Sequence, residues 1–221
     1  MEQYTSLLRN DGTQVRLKAI LETAISHPEL HARLVNTLAR MEYVGVRKML
    51  KARSSENLDV DGLLHVIEEA THALRLKKAA LKLLGSPVGL ETFSDAHTLA
   101  GSAGEGYLQA VDTACEKCLV DLPEEGRTEI NYLLSSALIE IRADVFYPVY
   151  EACLQAGGTP FSVRSIQKDE EKHLAEMKVR LEALCPDWRS RVEAVLPQEK
   201  VAFENWLAAV EVCFPAEPVS A

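Results

Sequence analysis

A run of apolar residues long enough to span a bilayer is missing from this sequence, so no transmembrane helix is expected. The stretch Met1 to Asp11 lacks the basic region followed by an apolar segment that marks a secretory leader, and the expected compartment is the cytoplasm. Positive charge is in short supply. Twenty-four Lys and Arg stand against 33 Asp and Glu, giving a formal charge of −9 and a pI near 5.2. That balance argues against a broad nucleic-acid-binding surface and leaves room only for a local basic patch. The five cysteines, at 115, 118, 153, 185 and 213, are odd in number and spread through helical segments, so they are expected to be reduced rather than to form a disulfide framework. Cys115 and Cys118 make one C-x-x-C with no second pair, and one pair cannot enclose a tetrahedral zinc or a rubredoxin-type iron. Two helical cysteines on one face is the expected reading, with a redox pair as the other.

The sequence is rich in helix formers. Leu, Ala, Glu, Val, Lys and Arg dominate, and 221 residues suffice to bury a sizeable core, so one all-helical domain spanning 1–221 is expected. Breakers and caps mark its helices. Pro28 suits the first turn of a helix running to about Ala52, ahead of the polar Ser54-Ser55-Glu56-Asn57 loop. Asp61 can cap a second helix that Gly85 and Pro87 terminate. A long connection, about 86–122, carries the glycine-interrupted stretch Gly101-Ser102-Ala103-Gly104-Glu105-Gly106 between helical patterns and can cross the hairpin. Pro123 opens a third helix ending near Gly157-Gly158, with a kink at Pro148; Ser162 caps a fourth that stops before Pro186. Residues 1–27 read as a short leading helix and about 187–214 as one or two helices broken at Pro197, all packed outside a core of about 28–185. The Ala-Glu-Pro-Val-Ser-Ala tail reads as disordered.

Titratable residues fall on the apolar faces of these helices. Val35, Leu38, Val46 and Met49 mark one stripe, and Glu42 sits in its middle. From Ser162 to Cys185 the stripe is Val163, Ile166, Met177, Leu181 and Leu184, and Glu170 and His173 share it. The full order is Glu42, then Glu69 with His72, then Glu140, then Glu170 with His173: a lone Glu, an E-x-x-H, a lone Glu, an E-x-x-H. Glu is common enough here for an E-x-x-H to arise by chance, so placement carries the argument. Each hairpin contributes the same set, with 27 positions between Glu42 and Glu69 and 30 between Glu140 and Glu170. The i, i+3 spacing points each Glu and His to one face, and such an order supplies the six side-chain ligands of a two-metal carboxylate site inside a four-helix bundle. Burying an ionised carboxylate alone costs several kcal/mol, so four converging acids favour a bound cation over empty space. The competing reading, hydrogen-bonded pairs without metal, requires Arg40, Arg75, Arg142 or Arg164 to turn inward, and periodicity puts none of them on the stripe.

This order resembles the ferritin-like diiron-carboxylate superfamily over about residues 28–185. The resemblance implies a ferritin-like four-helix bundle, two antiparallel hairpins joined by a long crossover, with extra terminal helices. It implies that Glu69 and Glu170 bridge two metals, that Glu42 and His72 complete one, and that Glu140 and His173 complete the other. Asp169-Glu170-Glu171-Lys172-His173 is similar to the D-E-x-x-H of oxygen-activating members, where the Asp accepts the second ring hydrogen of a ligand His, making Asp169 an outer partner. Leu138-Ile139-Glu140 followed by Tyr147-Pro148-Val149-Tyr150 is distantly similar to the aldehyde-deformylating oxygenases, too briefly to carry a substrate across.

The implied cofactor is a metal pair, Fe/Fe first, Mn/Fe or Mn/Mn next, since hard carboxylates and borderline imidazoles suit both metals. The implied function is an oxidoreductase that activates dioxygen or peroxide, with a small apolar substrate and, because no rubredoxin-type module is present, an external electron-donor protein. A homodimer through an exposed helix face is compatible with it. An iron oxidation and storage protein and a metal-free structural bundle are the alternatives. Around the six ligands, Tyr43, Tyr132, Tyr147 and Tyr150 read as core aromatics or as pocket lining, and Asp144 as a ligand partner or a solvent-facing acid. His65 lies one turn before Glu69 on the same face and reads first as a satisfied or exposed histidine, second as a group touching the site. Glu68 and Glu171 read as solvated neighbours; His27, His31 and His97 carry no pattern.

Overall fold

Helix ends follow largely from local chemistry. The computed structural model describes residues 1–9, 12–52 and 58–215, and among these every regular element is helical. Eight α-helices run in order: α1 Glu2–Arg9, α2 Thr13–Ser26, α3 Pro28–Ala52, α4 Val60–Leu84, α5 Ala103–Cys118, α6 Arg127–Ala156, α7 Arg164–Leu184 and α8 Trp188–Glu211. A single 3-10 turn lies at Asp95–His97. No described helix is long and apolar enough to cross a membrane.

Pro28 opens α3 at a position where the missing N–H has no helical partner to lose. Gly85 closes α4 in the left-handed region at φ 70°, its N–H bonded to the Leu81 carbonyl. Other boundaries move from their expected places. The cap of α4 is Asp59, whose side chain accepts from Gly62 N at 2.8 Å, and Asp61 lies in the first turn. α6 starts at Arg127 behind Gly126 at φ 79°, not at Pro123; the Arg127 guanidinium folds back onto the Leu122 carbonyl and holds the intervening turn. α7 follows Val163, because the Ser162 hydroxyl donates to the Glu151 carboxylate at 3.0 Å instead of capping the helix alone. The leading segment is two helices, since Gly12 at φ 80° starts α2 afresh. α8 is one helix: it runs through Pro197 and buries Val192, Val195, Phe203, Trp206 and Val210, whose burial offsets the roughly 3 kcal/mol that an internal proline costs. The expected loop at 54–57 and the expected disordered tail lie outside the described residues.

α3 packs along α4, and α6 along α7, as two hairpins. α6 is the hub, touching α1, α2, α3, α5, α7 and α8, and it is accordingly buried on nearly all sides. The connection from Gly85 to α5 is tied across the first hairpin. Asn36 Nδ2 donates to the carbonyls of Thr92 and His97, Lys77 Nζ donates to Asn36 Oδ1 at 2.7 Å, and the Thr37 hydroxyl donates to the Leu99 carbonyl. α5 then packs between α8 and α6, where Tyr107, Phe146, Phe203 and Trp206 form an aromatic cluster. Behind it, Arg142 is paired with Glu199, the carboxylate fully buried, through bonds of 2.8 and 2.7 Å, and Tyr107 OH donates to the same carboxylate at 2.9 Å. The Ser162–Cys185 stripe is buried at Val163, Ile166, Met177 and Leu181, but Leu184, at the last position of α7, is 46 % exposed because nothing covers the helix end. Cys115 and Cys118 lie on α5 as reduced thiols; burial pushes the Cys115 thiol up to about 12, which makes it a poor nucleophile.

Candidate metal centre

Four helices each deliver one turn to a common point. α3 brings Glu42, α4 brings Glu69 and His72, α6 brings Glu140, and α7 brings Glu170 and His173. All six side chains are buried or nearly so; both imidazoles are fully inaccessible. Their donor atoms fall into two overlapping groups, Glu42, Glu69, His72 and Glu170 in one, and His65, Glu69, Glu140 and His173 in the other, each with all donors within 4.8 Å of one another. Glu69 belongs to both groups. Glu170 also reaches both sides: its Oε1 lies 3.1 Å from His72 Nδ1, and its Oε2 lies 3.0 Å from His173 Nδ1.

Each imidazole presents Nδ1 inward and has its other nitrogen held from outside. His72 Nε2 donates to Asp169 Oδ2 at 3.1 Å, as expected for Asp169. His173 Nε2 donates to Glu68 Oε2 at 2.9 Å, which assigns Glu68 a place that a reading of it as a solvated neighbour missed. The residue before each E-x-x-H glutamate thus orients the histidine of the other motif. Such outer carboxylates fix the tautomer that leaves the inner nitrogen free to bind. The signal was in the sequence: Glu68 and Asp169 occupy equivalent positions in the two repeats.

Charge has no other resolution among the basic residues considered. Arg40 pairs with Asp95 and Glu105, Arg164 with Glu151, and Arg142 with Glu199; Arg75 reaches only the outer Asp169, at 4.0 Å. Without a cation the cluster holds protons. Burial, then repulsion from Glu69 and Glu170, holds the Glu42 carboxyl well above its usual range, and burial with repulsion from Glu170 and Glu69 does the same at Glu140. Burial opposes charge on His173, but the hydrogen-bonded Glu170 carboxylate and the adjacent Glu69 outweigh it and push the imidazole up to about 10; His72 is raised, against burial, by the neighbouring Glu170 carboxylate. At Glu69 burial is again outweighed, by the adjacent His173 and His65 imidazoles, and its carboxyl lies far below the usual range. Two buried atoms that point into the cluster, Glu69 Oε1 and His72 Nδ1, have no hydrogen-bond partner. Buried ligand atoms left without partners beside shared carboxylates are what a metal pair would satisfy, so the residues fit such a group.

Comparison with family models, with curated proteins and with solved structures finds no match to this chain.

An apolar cavity of about 120 Å³ opens against the carboxylate side of the cluster. Glu42, Glu69, Glu140 and Glu170 line one wall; Leu38, Ile139, Phe146, Met177 and Trp206 line much of the rest. Tyr132 and Tyr147 face this cavity, and Tyr147 OH donates to Glu42 Oε1 at 2.5 Å. Tyr107 lines it as well, whereas Tyr43 and Tyr150 stay clear of it. Tyr43 is 44 % exposed and stacks on Phe93, while Tyr150 hydrogen-bonds His31 Nε2 at 2.7 Å. Asp144 pairs weakly with Arg9 on the surface, and Glu171 is exposed. On the imidazole side a polar cleft, lined by Asp59, Asp61, Glu176 and Arg180, leads in to His65 and His173.

Proposed function

We propose that this chain is a dimetal-carboxylate oxidoreductase built on a ferritin-like four-helix core of α3, α4, α6 and α7, acting on dioxygen or peroxide together with a small apolar substrate. One observation carries the reading: two four-residue donor groups, contributed by four helices, share Glu69 and are spanned by the two oxygens of Glu170. In this reading Glu69 and Glu170 would be shared by the two metal positions, with Glu42 and His72 held at one and Glu140 and His173 at the other. Iron or manganese held there would supply redox chemistry with oxygen.

The chain's own residues supply the rest. Asp169 and Glu68 hold the two imidazoles in the metal-binding tautomer. Tyr147 orients Glu42 and holds a proton on its phenol oxygen, since burial and the Glu42 charge keep it protonated well beyond the usual range. The apolar wall excludes water and favours an uncharged reactant; the cavity is comparable to engineered apolar cavities of about 150 Å³ that take up benzene. The convergence of four buried acids with imidazoles, rather than with arginines, speaks against a metal-free structural bundle.

The test is elemental analysis of freshly purified protein, with an absorption spectrum before and after Fe(II) and then oxygen are added. Two metals per chain, and a near-ultraviolet absorption that develops with oxygen, are expected. Glu170→Ala should lose both metals; equal metal content in wild type and variant would refute the assignment. A chain that stays metal-free after loading with Fe(II) or Mn(II) would leave the structural bundle as the better reading.

A further inference from the structure

The two halves of the site correspond position for position, with Glu exchanged for Asp at one outer carboxylate and a different kind of side chain at one further place. Glu42 corresponds to Glu140, Glu69 to Glu170, His72 to His173, and Glu68 to Asp169. Four residues before the E-x-x-H glutamate, however, the first repeat has His65 and the second has Ile166. Ile166 is an ordinary core side chain, 2 % exposed. His65 is buried as well, but its ring packs against His173 at a 35° tilt with centroids 3.9 Å apart, and its Nε2 lies 3.3 Å from Glu69 Oε1. That approach is not a hydrogen bond in direction, because Glu69 Oε1 is one of the buried atoms left without a partner.

The spacing has a different explanation. Two donors on adjacent corners of an octahedral ion with bonds of about 2.1 Å stand about 3 Å apart without pointing at each other. The contacts of His72 Nδ1 with Glu170 (3.1 Å) and of His65 Nε2 with Glu69 (3.3 Å), each involving an atom without a hydrogen-bond partner, have that length. We propose that His65 is a seventh protein ligand, bound through Nε2, and that it makes the two metal positions chemically unequal. The proposal rests on the dimetal reading above. One position, with His65, His173, Glu69 and Glu140, is imidazole-rich; the other, with His72, Glu42, Glu69 and Glu170, is carboxylate-rich. Imidazole favours Fe(II), Co(II) and Zn(II), whereas carboxylate favours Mn(II), so the His65 side is the position selective against manganese. The polar cleft that reaches His65 and His173 gives that position its own approach from solvent, past Asp59, Asp61 and Glu176.

Calorimetric and absorption titration with Co(II) tests this on the full chain, comparing wild type, His65→Ala and His65→Gln. Two binding steps of different affinity are expected in the wild type. His65→Ala should weaken the tighter step by tenfold or more and leave the weaker one within about threefold, with a changed visible spectrum for the first ion bound. Both steps unchanged in His65→Ala would overturn the seventh ligand and leave the dimetal reading intact. Wild type that takes up no Co(II) would overturn both. Should the variants fail to fold, X-ray absorption of wild type carrying one equivalent of Co(II) decides: two imidazoles around the ion support the proposal, and one overturns it.

Discussion

Replacing Glu68 by alanine tests whether the outer carboxylates of the two repeats are functional equivalents. Glu68 and Asp169 each accept from the Nε2–H of one buried imidazole, at 2.9 and 3.1 Å. Losing such a partner typically lowers metal affinity about 10–100-fold. The structure places this case at the lower end. Both carboxylates are about one-third exposed, so water replaces part of the lost hydrogen bond, and each is already drawn toward a cation, Glu68 toward Lys172 at 3.3 Å and Asp169 toward Arg75 at 4.0 Å. Roughly tenfold per variant, about 1.4 kcal/mol, is therefore expected.

Because each acts on a different imidazole, the double variant Glu68→Ala/Asp169→Ala should lose roughly a hundredfold, with coupling of about 0.5 kcal/mol through the shared Glu170. The assay is competition for Co(II) against a chromogenic chelator at fixed pH, with the exposed Glu171→Ala as control. Glu68→Ala indistinguishable from Glu171→Ala, while Asp169→Ala weakens binding, would show that the second repeat's geometry is not reproduced functionally in the first.

Two further predictions concern buried titratable groups away from the proposed metal site. Glu199→Ala leaves Arg142 buried without its carboxylate and should cost about 3–5 kcal/mol, a fall in melting temperature of roughly 10 °C. The double variant Arg142→Met/Glu199→Leu should regain most of that loss, and a double variant as unstable as the single would refute the account. His31 is held down to about 4 by burial against Tyr150, below its ordinary value of 6.5. Its contribution to stability is therefore present above pH 6.5 and lost as the pH falls toward 4, where the unfolded chain is protonated and the folded chain resists it. In metal-free protein the stability of wild type relative to His31→Gln should drop by about 3 kcal/mol between pH 7.5 and 4, and a constant difference in urea unfolding across that range would contradict it.

Some of this was readable before any coordinates. Pro28, Gly85 and Gly158 mark helix ends because proline and glycine act locally, through a missing N–H and a permitted positive φ, and no tertiary contact opposes them. Pro197 misleads for the converse reason: α8 has enough apolar contact with α5 and α6 to carry a proline through. Asp59 and Asp61 both offer a capping carboxylate, and only the register of the packed helix selects between them. In the site, Glu42, Glu170 and His173 could be placed because each interrupts the apolar face of its helix, whereas Glu140, on a helix buried nearly all round, could be placed only by the order and spacing of the repeat. Glu68 could not be placed in this way. It sits off the buried stripe of its own helix, and its partner His173 belongs to α7, so its role exists only once the hairpins are docked. His65 was visible on the right face, but a face does not tell a ligand from a core histidine; the 3.3 Å approach to Glu69 and the Ile166 counterpart do.

Charge conservation gives the most demanding prediction of the dimetal reading. Without metal, the cluster is neutralised by protons: Glu42 and Glu140 keep theirs because burial and neighbouring acids forbid further negative charge, and His72 and His173 take a second proton because acids surround them. Binding requires bare carboxylates and neutral imidazoles. Two divalent ions bring four positive charges into a space where four protons had balanced the same acids. Loading at neutral pH should therefore release about four protons per chain, roughly two per ion. Titration with Co(II) in buffers of different ionisation enthalpy measures this directly, since the observed heat changes in proportion to the protons passed to the buffer. The overall affinity should then rise steeply with pH, with a logarithmic slope of about four for the pair. A release of fewer than about one proton per pair would mean that the four acids are already ionised in the metal-free protein, and the burial argument that leads from these side chains to a bound cation would fail with it.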